Sequence, residues 1–152
     1  MAGTRFDEKL VVFAKGTDVE SVERELAARL YEEGCVAETY ADALAAREKD
    51  YPTALEVGEH NVAIPHTEAE HTRQGAICVG VLKQPVSWAR MDDADERCDV
   101  ELVVMLALDD PHGHLEMLQK VIGLVQDQEL VAKVIGASTE AEVVELVAPK
   151  LL

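Results

Sequence analysis

The spacing of the apolar residues changes several times along this chain, and each change predicts a new element of secondary structure. Short, nearly continuous apolar runs are typical of buried strands, whereas apolar residues three and four positions apart are typical of amphipathic helices. The predicted strands are residues 10–15, 61–64, 75–83, 85–91 and 100–108. The predicted helices lie within residues 17–34, 39–50, 114–128, 129–137 and 138–151.

Residues typical of helix termini support several of these boundaries. Thr17 and Glu20 have the T-x-x-E spacing of a capping box, and Gly34 predicts the end of the same helix. The second helix is expected to begin at a Thr39 cap and to end before Pro52, because the residue preceding a proline disfavours the helical conformation. The last helix is expected to be capped by Ser138 or Thr139.

The order of the elements predicts the class of fold. Helices and strands alternate over 152 residues, so we expect one α/β domain in which helices cover the faces of a sheet. The near-continuous apolar run at 100–108 predicts a central strand buried on both faces. Residues 51–61 are predicted to form a loop and residues 92–99 a surface turn. Residues 1–9 are expected to be an N-terminal extension, and the domain to span residues 10–152.

The charge of the chain excludes some partners. Its 30 acidic residues outnumber its 14 basic residues, which gives a formal net charge of −16. Nucleic acid and anionic membranes are therefore not expected as partners, because phosphate groups require a basic surface. The acidic surface could steer a basic protein partner toward the site, or it could serve solubility in high salt.

Targeting signals and cysteines indicate the compartment. No apolar run approaches the about 20 residues that a membrane helix needs, and the N-terminal residues lack the apolar core of a signal peptide, so we expect a cytoplasmic protein without membrane insertion. Cys35, Cys78 and Cys98 share no motif and suit a reducing compartment. Cys78 lies within an apolar run and is expected to be a buried hydrophobic residue.

The histidines carry the candidate chemistry, and there are five: His60, His66, His71, His112 and His114. None of their spacings matches the i, i+4 pair of helical zinc sites, so no metal is predicted. The chain also lacks a G-x-S-x-G elbow, a Walker loop and a G-x-G-x-x-G motif, so neither a serine hydrolase nor a nucleotide cofactor is predicted.

Two of these histidines follow strands. His66 comes after the strand 61–64 and directly after Pro65, which has a fixed φ and holds the chain extended. His114 follows the strand 100–108 and is expected to open a helix, whose free N–H groups after His114 would favour an anion. Together with Arg47 near the end of a helix, these residues suit phosphoryl transfer through a histidine. A histidine after a strand is more commonly packed or solvated, so this pattern alone leaves both interpretations open.

Three segments together resemble a known family. The segments are "AIPHT", "GAICVGVLKQPVSW" and "VELVVMLALDDPHGHLEMLQKVIGLVQDQEL". They resemble the IIA component of the bacterial sugar phosphotransferase system, in its fructose, mannitol and galactitol group, with the greatest likeness to the galactitol type. The likeness extends from about Val11 to the end of the sequence. It implies a mixed β-sheet flanked by helices.

The resemblance also implies a role for each candidate residue. His66 matches the phosphorylated residue, His114 the second histidine of the active site and Arg47 the arginine that neutralises the phosphate. His112 competes with His114 for its role, but only His114 directly precedes the L-x-x-L pattern. His60 and His71 match nothing functional and are expected to lie at the surface.

The partners follow from the same resemblance. The implied phosphoryl donor is the phosphohistidine of HPr, the implied acceptor is a cysteine of the IIB component, and the membrane component IIC takes part indirectly; no cofactor is implied. A regulatory relative, in which phosphorylation of His66 controls a target protein, would have the same residues. A metal or ligand module that is never phosphorylated is a third interpretation. The transported sugar cannot be inferred, because a IIA component does not contact it.

Overall fold

The part of the chain described by the computed structural model, residues 3–152 without the side chains at positions 111 and 112, contains five strands and five α-helices. The strands are β1 (Val11–Ala14), β2 (Ala54–Leu55), β3 (Asn61–Ala63), β4 (Ala76–Ala89) and β5 (Arg97–Ala107). The helices are α1 (Val19–Glu32), α2 (Tyr40–Asp50), α3 (Pro111–Gln126), α4 (Gln128–Ile135) and α5 (Glu140–Leu151). Two short 3₁₀ turns lie at Glu8–Leu10 and Ala69–His71.

The strands form one mixed sheet in the order β1-β4-β5-β3-β2. β1 is parallel to β4 and β3 is parallel to β5, whereas the pairs β4–β5 and β2–β3 are antiparallel. β5 is the central strand, and its residues 102–107 are all buried, as the apolar run predicted. The predicted fold class, a single domain with a mixed sheet flanked by helices, is confirmed.

The helices cover both faces of the central strands. Because successive side chains of a strand point to opposite faces, the consecutive buried residues 76–82 of β4 show that both of its faces are covered. α1 packs closely on one face at Gly80, where an added Cβ would lie 2.8 Å from the Cδ2 atom of Leu26. Cys78 of β4 is fully buried, as predicted, and burial raises the pKa of its thiol.

One predicted boundary between two strands is wrong. The segments 75–83 and 85–91 are a single long strand, β4, that continues through Pro85. Its pairing with β5 shifts register between Val81 and Val86, and this irregularity accommodates a proline that has no N–H to donate to the ladder. β5 begins at Arg97, inside the predicted surface turn, because its first residues still pair with the end of β4.

Two helix caps also differ from the prediction. The capping box of α1 uses Asp18 and Ser21 rather than Thr17 and Glu20: the Ser21 N–H donates to Asp18 Oδ1 at 2.8 Å, and Ser21 Oγ accepts from the Asp18 N–H at 3.3 Å. A carboxylate cap also interacts favourably with the positive end of the helix dipole. Gly34 follows the end of α1 with φ +74°, as predicted.

The second helix shows the same kind of difference. Thr39 precedes α2 as predicted, but its hydroxyl makes no capping hydrogen bond and lies 2.8 Å from Nδ1 of His71 instead.

The predicted loop 51–61 contains the two-residue strand β2, which is too short to show any periodicity in the sequence. Thr139 provides the N-cap of α5, which settles the choice between Ser138 and Thr139.

A pair of buried carboxyl groups lies between α1 and α2. Glu48 accepts hydrogen bonds from the Thr53 N–H at 2.7 Å, the Thr53 hydroxyl at 2.9 Å and Nε1 of Trp88 at 2.9 Å. Both oxygens of its carboxylate are therefore hydrogen-bonded. Glu23 is only 2% exposed. Burial, and then the charge of Glu48, raise the pKa of Glu23 to about 10. Glu23 is therefore protonated in the folded protein at neutral pH, and its buried Oε2 has no hydrogen-bond partner among the described residues.

We expect the Glu23→Gln substitution to remove a pH dependence of stability. The pKa of Glu23 rises from 4.5 to about 10 on folding, so the folded state holds a proton that the unfolded state loses above pH 4.5. The contribution of Glu23 to stability is therefore fully present below pH 4.5 and is lost as the pH rises toward 10. Relative to the variant, the wild type should lose about 3 kcal/mol of unfolding free energy between pH 4.5 and pH 7.

Urea unfolding of both proteins at several pH values measures this difference. Glutamine keeps the shape of the side chain but cannot ionise, so the variant isolates the ionisation. The control is Glu20→Gln, which removes an exposed carboxylate from the same helix and should give a curve parallel to the wild type. If the pH dependence of the unfolding free energy of the Glu23→Gln protein were parallel to that of the wild type, the pKa of Glu23 would not change on folding.

Candidate active site

The backbone around His66 is held on both sides. The N–H of Ile64 donates to the carbonyl of Thr53 at 3.1 Å, and the carbonyl of Pro65 accepts from the N–H of Leu106 in β5 at 3.0 Å. These two bonds extend the pairing of β3 past its last residue. His66 is thus presented at the carboxyl end of β3, where ligands commonly bind in α/β proteins. The expected role of Pro65, to hold the chain extended up to His66, agrees with this geometry.

A hydrogen bond identifies the ring nitrogen of His66 that carries a proton. Its Nδ1 lies 2.8 Å from the carbonyl oxygen of Ile64. Because a carbonyl oxygen can only accept a hydrogen bond, Nδ1 carries a proton, and Nε2 is the nitrogen that bears the lone pair whenever the ring is neutral. The ring is partly exposed. His66 therefore presents Nε2, not Nδ1, as the ring nitrogen that can attack an electrophile.

His114 lies in the first turn of α3, not in front of it. The helix begins at Pro111, three residues earlier than predicted, and the N–H of His114 already donates to the carbonyl of Asp110 at 3.1 Å. Proline is favourable at this first helical position, because the missing N–H would have had no partner within the helix. The expectation that free N–H groups after His114 would bind an anion is therefore wrong. The group of His114 that faces His66 is its imidazole.

The two imidazoles contact each other. The ring centroids of His66 and His114 are 5.2 Å apart, and the planes meet at 61°, edge to face. Within the described part of the chain, Nε2 of His114 is buried and has no hydrogen-bond partner. Burial, and then the proximity of His66 and Arg47, lower the pKa of His114, so its imidazole is neutral at neutral pH. A buried polar atom without a partner is costly, and its position beside His66 indicates a place where a ligand oxygen would bind.

Arg47 reaches the same place from the last turn of α2. Its Nη1 lies 3.3 Å from Oε1 of Glu68, and its guanidinium lies over the ring of Tyr51, 5.0 Å from the centroid. The side chain is 34% exposed and the Glu68 side chain 54%. The guanidinium thus rests on an aromatic face beside a single carboxylate and can reach a ligand in the cleft.

The three predicted residues line one cleft of ≈ 420 Å³. Its lining comprises Arg47, His66, Thr67, Glu68, Ala69, His114, Leu115 and Leu118. Sequence reasoning did not single out Thr67 or Glu68, although both directly follow His66. Glu68 Oε2 accepts from the Thr67 hydroxyl at 2.6 Å, and this bond is the largest of several effects that lower the pKa of Glu68. In so acidic a chain, one more glutamate in a loop gives no signal in the sequence.

The remaining histidines have other surroundings. His60 and His71 are both partly exposed: Nδ1 of His60 lies 3.1 Å from Oε1 of Glu101, and Nδ1 of His71 lies 2.8 Å from the Thr39 hydroxyl. Neither of them lines the cleft. The alternative that His112 replaces His114 concerns a side chain outside the described part. Among the described residues, no cluster of three or more His, Cys, Asp or Glu side chains is arranged to hold a metal ion.

Solved structures share this fold. The crystal structure of mannitol IIA from Escherichia coli superposes with a TM-score of 0.78 at 20% identity, covering 94% of this chain and 99% of that chain. The mannitol IIA in complex with phosphorylated mannitol IIB, from the same organism, gives a TM-score of 0.79 at 19% identity, covering 96% and 99%. At these identities the likeness defines the fold, that of a phosphotransferase-system IIA protein.

Sequence comparison identifies the family. Residues 5–149 match the family model described as the phosphoenolpyruvate-dependent sugar phosphotransferase system, EIIA 2. The galactitol-specific EIIA component of Escherichia coli K12 is 35% identical over 104 residues, which are 67% of each chain. The chain belongs to the EIIA 2 family. Its general function is that of a phosphocarrier of a sugar phosphotransferase system. The family recognised from the three motifs is thus confirmed.

Proposed function

We propose that this protein is a galactitol-type IIA component that accepts a phosphoryl group from phospho-HPr on Nε2 of His66. The phosphoryl group then passes to a cysteine of the IIB component. We place both transfers in the cytoplasm, and the membrane component IIC takes part only indirectly. The observation that carries this proposal is the hydrogen bond from Nδ1 of His66 to the carbonyl of Ile64, which leaves Nε2 as the ring nitrogen open to the cleft shared with His114 and Arg47. No described helix has the length and apolarity to cross a membrane.

The first transfer is a displacement at phosphorus. The lone pair on His66 Nε2 forms the new N–P bond while the N–P bond of the donor phosphohistidine breaks, and its electron pair returns to the donor imidazole. The His66 ring becomes positively charged, and the carbonyl of Ile64 stabilises that charge through the bond to Nδ1–H. In the second transfer the acceptor thiolate forms an S–P bond, and the electron pair of the breaking N–P bond returns to Nε2.

Arg47 and His114 are proposed to stabilise the group during both transfers. The transferring phosphoryl group carries negative charge on three oxygens, so positioned donors account for most of the catalysis that a protein can provide. Arg47 offers a guanidinium fork. His114 is neutral, and its buried Nε2 would gain a partner by donating to a phosphoryl oxygen. No cofactor is required for this chemistry.

The experiment that tests the proposal is phosphoryl transfer with purified proteins. The protein is incubated with labelled phospho-HPr, and the labelled product is then mixed with the cognate galactitol-type IIB. We expect labelling of His66, followed by transfer of the label to IIB. A protein that is labelled but does not pass the label on would be a regulatory relative instead. A protein that phospho-HPr cannot label would be neither, and the phosphocarrier assignment would fail.

We expect the acidic surface to steer the donor. A net charge of −16 attracts a partner whose docking face is basic, as the family resemblance implies for HPr. Screening shortens to roughly 8 Å at physiological salt, so the second-order rate constant for transfer from phospho-HPr should fall as salt rises. The maximal rate in the docked complex should change much less, and a salt series in stopped flow measures both. A second-order constant that stays flat or rises would assign the acidic residues to solubility.

A further inference from the structure

Glu68 lies in the cleft but has no part in the chemistry proposed so far. Its Oε1 lies 3.3 Å from Nη1 of Arg47, and its Oε2 accepts the 2.6 Å hydrogen bond from Thr67. Thr67 is only 3% exposed, so its hydroxyl is a fixed anchor for the Glu68 carboxylate. Glu68 is therefore held beside the guanidinium by a buried neighbour.

The anchoring separates this pair from an ordinary surface ion pair. An exposed pair of long side chains loses much of its Coulomb energy to solvent and to the entropy of ordering both side chains. Here the Thr67 bond restrains Glu68, and stacking on Tyr51 restrains Arg47. Both partners are thus positioned before any phosphoryl group arrives.

A phosphoryl group on His66 would change this arrangement. It brings about two negative charges into the cleft lined by Arg47 and Glu68. A guanidinium binds a phosphoryl group more strongly than it binds one carboxylate oxygen at 3.3 Å, because the phosphoryl group carries more negative charge and can be bound through two oxygens at once. Once Arg47 has moved to the phosphate, the Glu68 carboxylate lacks its cation and faces a group of the same sign.

We propose that Glu68 is a positioning residue that acts as the resting counter-ion of Arg47 and exchanges it for the phosphoryl group. This inference rests on the proposed phosphorylation of His66. Glu68 stabilises the unphosphorylated protein through the ion pair and destabilises the phosphorylated one through repulsion. Both effects lower the affinity of His66 for the phosphoryl group, and the group therefore passes more readily to the acceptor. No covalent bond changes in this step, since the guanidinium only changes partner.

The equilibrium constant for transfer from phospho-HPr tests this inference. It is measured by quantifying the phosphorylated and unphosphorylated forms of both proteins after equilibration. The test variant is Glu68→Gln, which keeps the shape and the ability to accept from Thr67 but removes the charge. The matched control is Glu70→Gln, which removes an exposed carboxylate two residues further along the same segment.

We expect the Glu68→Gln protein to hold the phosphoryl group about threefold more strongly, which corresponds to about 0.7 kcal/mol. The Glu70→Gln protein should stay close to the wild type. An equal change of the equilibrium constant in both variants would show a general effect of net charge and would overturn the inference. An equilibrium constant in the Glu68→Gln protein that is unchanged, or that favours the phosphoryl group less than in the wild type, would also overturn it.

The NMR resonance of the Arg47 Nε–H group gives a second, independent measurement. Phosphorylation of the wild type should move this resonance, and Glu68→Gln should already move it in the unphosphorylated protein. An Arg47 resonance that responds to neither change would also overturn the exchange. The two proposals fail differently: a wild type that phospho-HPr does not label on His66 contradicts the phosphocarrier function itself. A labelled wild type with unchanged behaviour in the Glu68→Gln protein contradicts only the role of Glu68.

Discussion

The His66→Ala protein is expected to accept no phosphoryl group from phospho-HPr while keeping its fold. The substitution removes the Nε2 lone pair that the bond to Ile64 makes available, and no other described histidine lines the cleft except His114. His66 is partly exposed, and a change at such a side chain typically alters stability by about 0.5 kcal/mol or less. Labelling with phospho-HPr, together with a thermal unfolding curve, measures both expectations.

The chemistry of the label and a control complete this experiment. In the wild type the label should be acid-labile and base-stable, as phosphoramidates are. His71→Gln, a substitution in the segment that follows His66, should be labelled normally, because His71 bonds Thr39 outside the cleft. Full labelling of the His66→Ala protein would contradict the assignment of His66 as the acceptor.

The His114→Ala protein is expected to accept the phosphoryl group but to pass it on slowly. The imidazole of His114 lies 5.2 Å from that of His66, is neutral at neutral pH and has a buried Nε2 without a partner, so it is suited to donate to a phosphoryl oxygen rather than to attack phosphorus. Loss of one such donor typically raises a barrier by about 2.7–4 kcal/mol, or about 10²–10³ in rate. Rapid-mixing measurement of transfer from the labelled protein to IIB gives this rate.

Two comparisons make the result specific to His114. Leu118→Ala removes an apolar side chain that lines the same cleft, so it should affect docking more than the rate within the complex. If the His114→Ala protein cannot be labelled while the His66→Ala protein can, the roles of the two histidines are reversed. If His114→Ala transfers at the wild-type rate, His114 does not stabilise the transferring group.

The candidate site was predictable from the sequence to the extent that its parts are local. His66 could be chosen because Pro65 and the preceding strand are its immediate neighbours, and strand ends are where sites form. The resemblance then related His114 and Arg47 to it. Glu68 could not be chosen, because its partner Arg47 is 21 residues away and the sequence does not show that their side chains meet.

The pattern of apolar residues determined the order and type of the main elements, because strand and helix periodicities are local properties of the chain. It divided β4 into two strands and did not show the two-residue strand β2. It also determined that the strand at 100–108 is central, since only a strand covered on both faces is apolar throughout. The tertiary structure decided what depends on long-range contacts. Pairing with β5 carries β4 through Pro85, and packing of α1 and α2 against the sheet buries Glu23 beside Glu48 and keeps Glu23 protonated. The environment of the two rings in the candidate site was decided in the same way: the carbonyl of Ile64 fixes a proton on Nδ1 of His66, and burial lowers the pKa of His114, through geometry that forms only when the chain has folded.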